Sequence, residues 1–205
     1  MSDNLIISGR NVLPVDGEAI LMQAYLPSPA YFERLRDSIE WSRGKIKRYG
    51  REMNEARDTA WYGEPDLDYV YSGKKNVSLP WTRELIEIKS HLDSLGFGEF
   101  NSCLLNYYRD GNESIGEHAD DERQLDANKT IASLSFGGTR DFIFRHRATK
   151  ERIVVPLKHG DLLVMRGQTQ KYWKHSLPKR VNAEPRINLT YRIISATPQG
   201  KFANS

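Results

Sequence analysis

The sequence predicts an α+β protein whose C-terminal half is an antiparallel β sandwich or jelly roll, with two helices over one outer face. Three observations carry that expectation. Seven β-forming runs follow Phe100 with no helical period among them. Glycine, proline, aspartate and asparagine separate the runs as turn signals. Two amphipathic helical stripes lie earlier in the chain.

The elements follow in order. Residues 28–41, "SPAYFERLRDSIEW", read as a helix. Ser28 can cap it, Pro29 suits its first position, and Phe32, Leu35 and Ile39 share a face. Residues 48–76, rich in glycine and aromatics, predict short strands and turns. Residues 80–96 read as a second helix with Leu85, Ile88, Leu92 and Leu95 as its stripe and Gly96 as its stop. "RDGN" at 109–112 predicts a turn. The strand-like runs are "NSCLLNYY", "TIASLSFGG", "RDFIFRHR", "RIVVPL", "DLLVMRG", "YWKHSLP" and "RINLTYRII".

The chain has 205 residues, enough for one domain with a core of its own. Charged residues are 28% and apolar residues 39%, as in a soluble globular protein. No run approaches the ~18 apolar residues of a membrane span, and "MSDNLIISGR" does not read as a secretory signal. These features predict a monomer in a bacterial cytoplasm, or in the nucleus of a eukaryote. The single cysteine, Cys103, excludes an internal disulfide and reads as a buried strand thiol. The net charge of +3 permits a nucleic-acid partner. Its basic residues gather at 43–52, 144–147 and 171–180, which a solvated face would also explain.

"GEHADDER" at 116–123 poses the chemical question. His118 and Asp120 are two apart, so an extended backbone aims both to one side. His175, in "YWKHSLP", is the leading third ligand. Two histidines and a carboxylate with open positions suit non-haem Fe(II). His91, His146 and His159 read as surface residues. In "PRINLTYR", Arg186, Asn188, Thr190 and Arg192 share one strand face. By pattern alone that face is the wet side of a half-exposed strand. Turned inward, its guanidinium groups could grip a carboxylate in a fork. Asn106 and Tyr108 in "LNYY" form a similar pair at i and i+2.

H-x-D, a distant histidine and R-x-N-x-T-x-R in this order resemble the AlkB family of Fe(II)- and 2-oxoglutarate-dependent nucleic-acid dealkylases, from about Tyr49 to Ile194. The resemblance implies a double-stranded β-helix (jelly roll) with flanking helices. Within one domain over 1–205, a nucleotide-recognition lid would occupy about 45–80 and a catalytic core about 100–195. It implies that His118, Asp120 and His175 hold Fe(II). Arg186 would grip the distal carboxylate of 2-oxoglutarate, with Asn106, Tyr108, Thr190 and Arg192 assisting and Asn188 in support. In the family reaction, O2 and 2-oxoglutarate give succinate and CO2 while an N-alkyl group on a base is hydroxylated and lost as an aldehyde.

Asp121 and Glu122 match acids that lie beside the base in the family, where they suit a cationic lesion such as 1-methyladenine or 3-methylcytosine. "ARDTAWYGEPDLDYVYSG" resembles the lid of the duplex-DNA repair branch. By that likeness Arg57, Tyr69, Tyr71 and Ser72 line the base pocket, while Trp61 and Tyr62 are structural. Tyr49 falls where that branch carries a finger that fills the gap of a flipped base. The expected partner is DNA with alkylated bases, duplex favoured. The alternatives are RNA or single strands, a jelly roll that binds nucleic acid without catalysis, and a protein hydroxylase.

Overall fold

The computed structural model describes residues 9–48, 51–65, 67–71, 74–121 and 130–194. β1 (Arg10–Asn11) and β2 (Glu18–Met22) come first, then α1 (Ala30–Ser38). Five short strands follow: β3 (Lys45–Arg48), β4 (Arg51–Asn54), β5 (Asp58–Gly63), β6 (Asp68–Tyr71) and β7 (Lys74–Val77). After α2 (Arg83–Asp93) come β8 (Ser102–Tyr108), β9 (Ile115–His118), β10 (Ile131–Gly137), β11 (Arg140–His146), β12 (Arg152–Leu157) and β13 (Leu162–Arg166). The last elements are the short α3 (Thr169–Tyr172), β14 (Trp173–Leu177) and β15 (Arg186–Arg192).

Seven strands form one sheet in the order β1-β2-β13-β10-β15-β8-β5, and four form a second in the order β12-β11-β14-β9. The named strands pair antiparallel throughout. This is the two-sheet layout of a jelly roll, and all seven expected runs are strands in it. Pro156 sits on β12, at the edge of the smaller sheet, where a missing N–H breaks no ladder. The ribbons β3-β4 and β6-β7 stand apart from both sheets, within the span expected for a lid.

Alternation sorts each strand into two faces. On the outer face of the large sheet, Leu134, Phe136, Leu162, Val164, Ile187 and Leu189 meet Leu35, Leu85, Ile88 and Leu92 of the two helices. Leu35, Leu85, Ile88 and Leu92 are wholly buried, and each contributes about 1.5–3 kcal/mol by leaving water. Tyr191 Oη donates to Leu85 O at 2.9 Å and ties β15 to α2. A second core lies between the sheets, where Tyr108, Ile131, Leu163 and Met165 face Phe142, Phe144, Val155, Leu157 and Trp173.

Three local expectations change. Ser28 does not cap α1 with its side chain; Pro29 holds the cap position with helical backbone angles. The Ser28 carbonyl instead accepts from Tyr31 N and from His159 Nε2, and α2 carries the side-chain cap, Thr82, whose Oγ1 accepts from Leu85 N. His146 is buried rather than on the surface. It continues the inward row of Phe142 and Phe144, stacks on Tyr172 and lies 3.2 Å from Asp16 Oδ2. His159 is half-buried and bridges Gly137 N to Ser28 O. β1 and β2, unmarked by any strong run, extend the large sheet because β2 pairs along β13.

Candidate metal centre and its cleft

The two sheets leave a cleft between them of about 520 Å³, part of it open to solvent. The smaller sheet supplies two histidines to it. His118 ends β9 and His175 lies directly across from it on β14. Their rings meet edge to face with centroids 4.4 Å apart. Asp120 follows β9 by two residues. One ligand atom from each of His118, Asp120 and His175 lies within 4.8 Å of the others.

Neighbours hold each ligand. His118 Nδ1 lies 2.9 Å from Gly116 O. His175 stacks on Phe142, centroids 5.1 Å apart. Burial, ahead of repulsion from His118, pushes its pKa down to about 3, so its ring is neutral and keeps a lone pair for a metal. Its Nδ1 is buried with no hydrogen-bond partner among the described residues. Asp120 N donates to Gln170 Oε1 at 3.0 Å. Asp120 is buried, which alone would raise its pKa, but the Arg192 guanidinium and the two histidines more than offset this and hold it low. Arg192 Nη2 reaches Asp120 Oδ1 at 2.6 Å.

The large sheet supplies the opposite wall. β15 lies between β10 and β8, and all seven of its residues are buried. The helices cover the apolar face, so the polar face of Arg186, Asn188, Thr190 and Arg192 turns into the cleft. Register places Asn106 beside Asn188, and Tyr108 beside Arg186. Ser133 and Ser135 complete this wall from β10. Asn188 Nδ2 donates to Ser133 Oγ and Leu134 O, and Thr190 Oγ1 donates to Asn188 Oδ1. Arg186 Nη2 donates to Ser135 Oγ at 2.9 Å, while its Nε is buried without a partner among the described residues. Burial, the largest influence, lowers its pKa to about 10, so it still carries its charge at neutral pH. A buried cation with an unmet donor calls for an anion.

Residues 23–192 match the 2OG-Fe(II) oxygenase superfamily. The chain belongs to that family. Its resident groups are therefore Fe(II) and 2-oxoglutarate, with O2 as oxidant, and it is a dioxygenase. The residues fit these groups: an unpartnered imidazole nitrogen at the triad, and an unmet guanidinium donor across the cleft. The DNA oxidative demethylase ALKBH2 of Homo sapiens is 40% identical over 178 residues, 81% of this oxygenase and 68% of that protein. Alpha-ketoglutarate-dependent dioxygenase alkB homolog 3 of Mus musculus is 38% identical over 82% of this chain and 62% of its own length. The solved structure of OsALKBH1 has a TM-score of 0.60 over 88% of this chain and 98% of its own. At 15% identity that likeness is one of fold.

Of the residues singled out in the sequence, His118, Asp120, His175, Asn106, Tyr108, Arg186, Asn188, Thr190, Arg192 and Arg57 all line the one cleft. Arg57 is buried and its Nε donates to Asn106 Oδ1 at 2.5 Å. Asp121 is exposed, and its carboxylate accepts from Arg147 at 2.8 Å. Tyr69 and Tyr71 lie on β6; their side chains lie outside the described structure. Tyr49, Ser72 and Glu122 lie outside the described residues. Sequence reasoning missed Phe142, Ser133, Ser135 and Gln170. The two serines carried a signal, small hydroxyls at i and i+2 in an otherwise apolar strand. Gln170 carried none.

Proposed function

We propose that this oxygenase removes alkyl groups from the nitrogens of DNA bases by oxidation, and so repairs lesions of the 1-methyladenine and 3-methylcytosine type. One observation carries the proposal. The His-Asp-His cluster and the arginine face of β15 share a single cleft, in a chain 40% identical to a protein named a DNA oxidative demethylase.

In this reading His118, Asp120 and His175 hold Fe(II), which with O2 and 2-oxoglutarate supplies the oxidising chemistry. Arg192 keeps Asp120 anionic, and burial keeps His175 neutral, as the metal requires. Arg186 takes the distal carboxylate of 2-oxoglutarate, with Tyr108, Asn106, Thr190 and Arg192 around the rest. The N-methyl group gains one oxygen atom, the other ends in succinate, and CO2 leaves. The hydroxymethyl adduct then splits to formaldehyde and the repaired base. Arg57, Tyr69, Tyr71, Ser72, Asp121 and Glu122 receive the base, and the acids suit a cationic lesion. Asp121 must release Arg147 to do so.

The test is repair of an oligonucleotide containing 1-methyladenine, with Fe(II), 2-oxoglutarate and ascorbate, as single strand and as duplex. Loss of the methyl group that needs both groups supports the reading. Succinate without repair moves the substrate to another class, such as a protein side chain. No succinate, with binding that survives His118→Ala, favours a nucleic-acid-binding module. We further propose duplex DNA as the preferred form, with Tyr49 filling the gap left by the base. Tyr49→Ala should then impair duplex repair more than single-strand repair; equal loss on both would remove that role and favour single strands or RNA.

A further inference from the structure

Arg140 was not among the residues read from the sequence, and it does not line the cleft. It starts β11, on the same inward row as Phe142 and Phe144, and is wholly buried. Its guanidinium donates to three backbone carbonyls: Asp110 O at 3.3 Å, Glu113 O at 2.9 Å and Pro178 O at 2.6 Å. No carboxylate pairs with it among the described residues, and its Nε is buried without a partner. Asp141, the residue after it, pairs with Arg180 instead.

A clamp on three carbonyls does not need a charge, since a neutral amide can donate too. Burying an unpaired cation carries a desolvation penalty. Something nearby must make that charge useful. Tyr108 is the link. The Arg140 guanidinium carbon lies 5.6 Å from the Tyr108 ring centre, and so does that of Arg186. Tyr108 lines the cleft. Two buried guanidinium groups thus sit on one aromatic ring, and neither has an acid partner in the described structure. Burial first, and then Arg140, act against the charge of Arg186. The pair is held in mutual repulsion that an anion in the cleft would relieve.

We infer that Arg140 is a positioning residue for the cosubstrate pocket: acting through Tyr108, it adds a second buried positive charge that selects a 2-oxo acid with a distal carboxylate over one without. The inference rests on the reading that Arg186 and Tyr108 receive that carboxylate. It concerns charge rather than clamping, and the two roles separate in one experiment.

Mn(II) replaces Fe(II), and titration calorimetry measures binding of 2-oxoglutarate and of 2-oxopentanoate, its analogue with a methyl in place of the distal carboxylate. Arg140→Gln removes the charge and keeps two amide N–H donors for the three carbonyls. Its preference for 2-oxoglutarate should fall about tenfold, the order of effect of a unit charge about 12 Å away at an effective dielectric of about 20. Binding of 2-oxopentanoate should change by less than about twofold. Equal weakening of both ligands would mean a clamp alone and overturn the inference. If Arg140→Gln does not fold, Arg186→Gln gives the second test. With Arg140 still charged, it should retain a preference for 2-oxoglutarate of about threefold or more; no preference would overturn the inference. Arg186→Gln that binds 2-oxoglutarate as wild type does would instead sink the cosubstrate assignment itself.

Discussion

Arg192→Met tests how the site stores charge. Arg192 and Asp120 form a buried ion pair at 2.6 Å, with side-chain exposures of 3% and 4%. Methionine keeps most of the volume and removes the cation. Asp120 is then left buried with its main opposing charge gone. Breaking a buried pair from one side costs about 3–5 kcal/mol. In a chain of this size 1 kcal/mol moves the melting point by about 2–4 °C. The metal-free variant should therefore melt about 6–20 °C lower than wild type at pH 7.

The pH dependence has a definite sign. In wild type the Asp120 pKa is depressed, so its stabilisation is present above the unfolded pKa and is lost as pH falls through the folded one. In the variant, burial prevails and the folded pKa rises above the unfolded value. The penalty then applies at neutral pH and shrinks as the carboxyl takes up a proton. The deficit against wild type should narrow from pH 7 to pH 5. Saturating Mn(II) should also narrow it, because the metal supplies a replacement cation. Calorimetric melting of the metal-free and Mn(II)-loaded proteins at three pH values measures all of this. A metal-free deficit under about 2 °C, or one that grows as pH falls, would refute the reasoning.

Three further outcomes follow from the same geometry. Asp120→Ala should abolish succinate formation, since the site loses its anionic ligand; near-normal succinate would end the ligand assignment. Arg186→Ala should raise the 2-oxoglutarate requirement by about tenfold or more, because a charge-assisted bidentate partner of about 1.5–3 kcal/mol is lost; saturation curves that overlay wild type would move the cosubstrate elsewhere. Gln170→Leu leaves the Asp120 N–H without its acceptor, so Mn(II) affinity should drop about 10–100-fold, as for other outer-shell contacts. An unchanged Mn(II) titration by electron paramagnetic resonance would remove Gln170 from the support of the site.

The seven strand runs after Phe100 and the two helical stripes were legible in the residues alone, and the ligand set through its resemblance to the AlkB pattern. Period and turn chemistry are local, and H-x-D with a distant histidine is a pattern of residue types. The inward turn of β15 was not legible. Arg186, Asn188, Thr190 and Arg192 alternate with Ile187, Leu189 and Tyr191, and alternation says only that two faces differ. Which face is wet depends on what covers each. α1 and α2 lie on the apolar side, the four-stranded sheet lies over the other, and the polar row becomes the wall of a cleft. His146 shows the same limit in reverse: flanked by two arginines it looks exposed, yet it falls on the inward row of β11. Gln170 and Arg140 were beyond local pattern for one reason. Each acts on a partner about 30–50 residues away in the chain, Gln170 on Asp120 and Arg140 on Asp110, Glu113 and Pro178. The sequence by itself determined which groups could bind a metal and an anion. Only the stacking of two sheets decided that they meet, because burial and register are properties of the assembled layers rather than of any one strand.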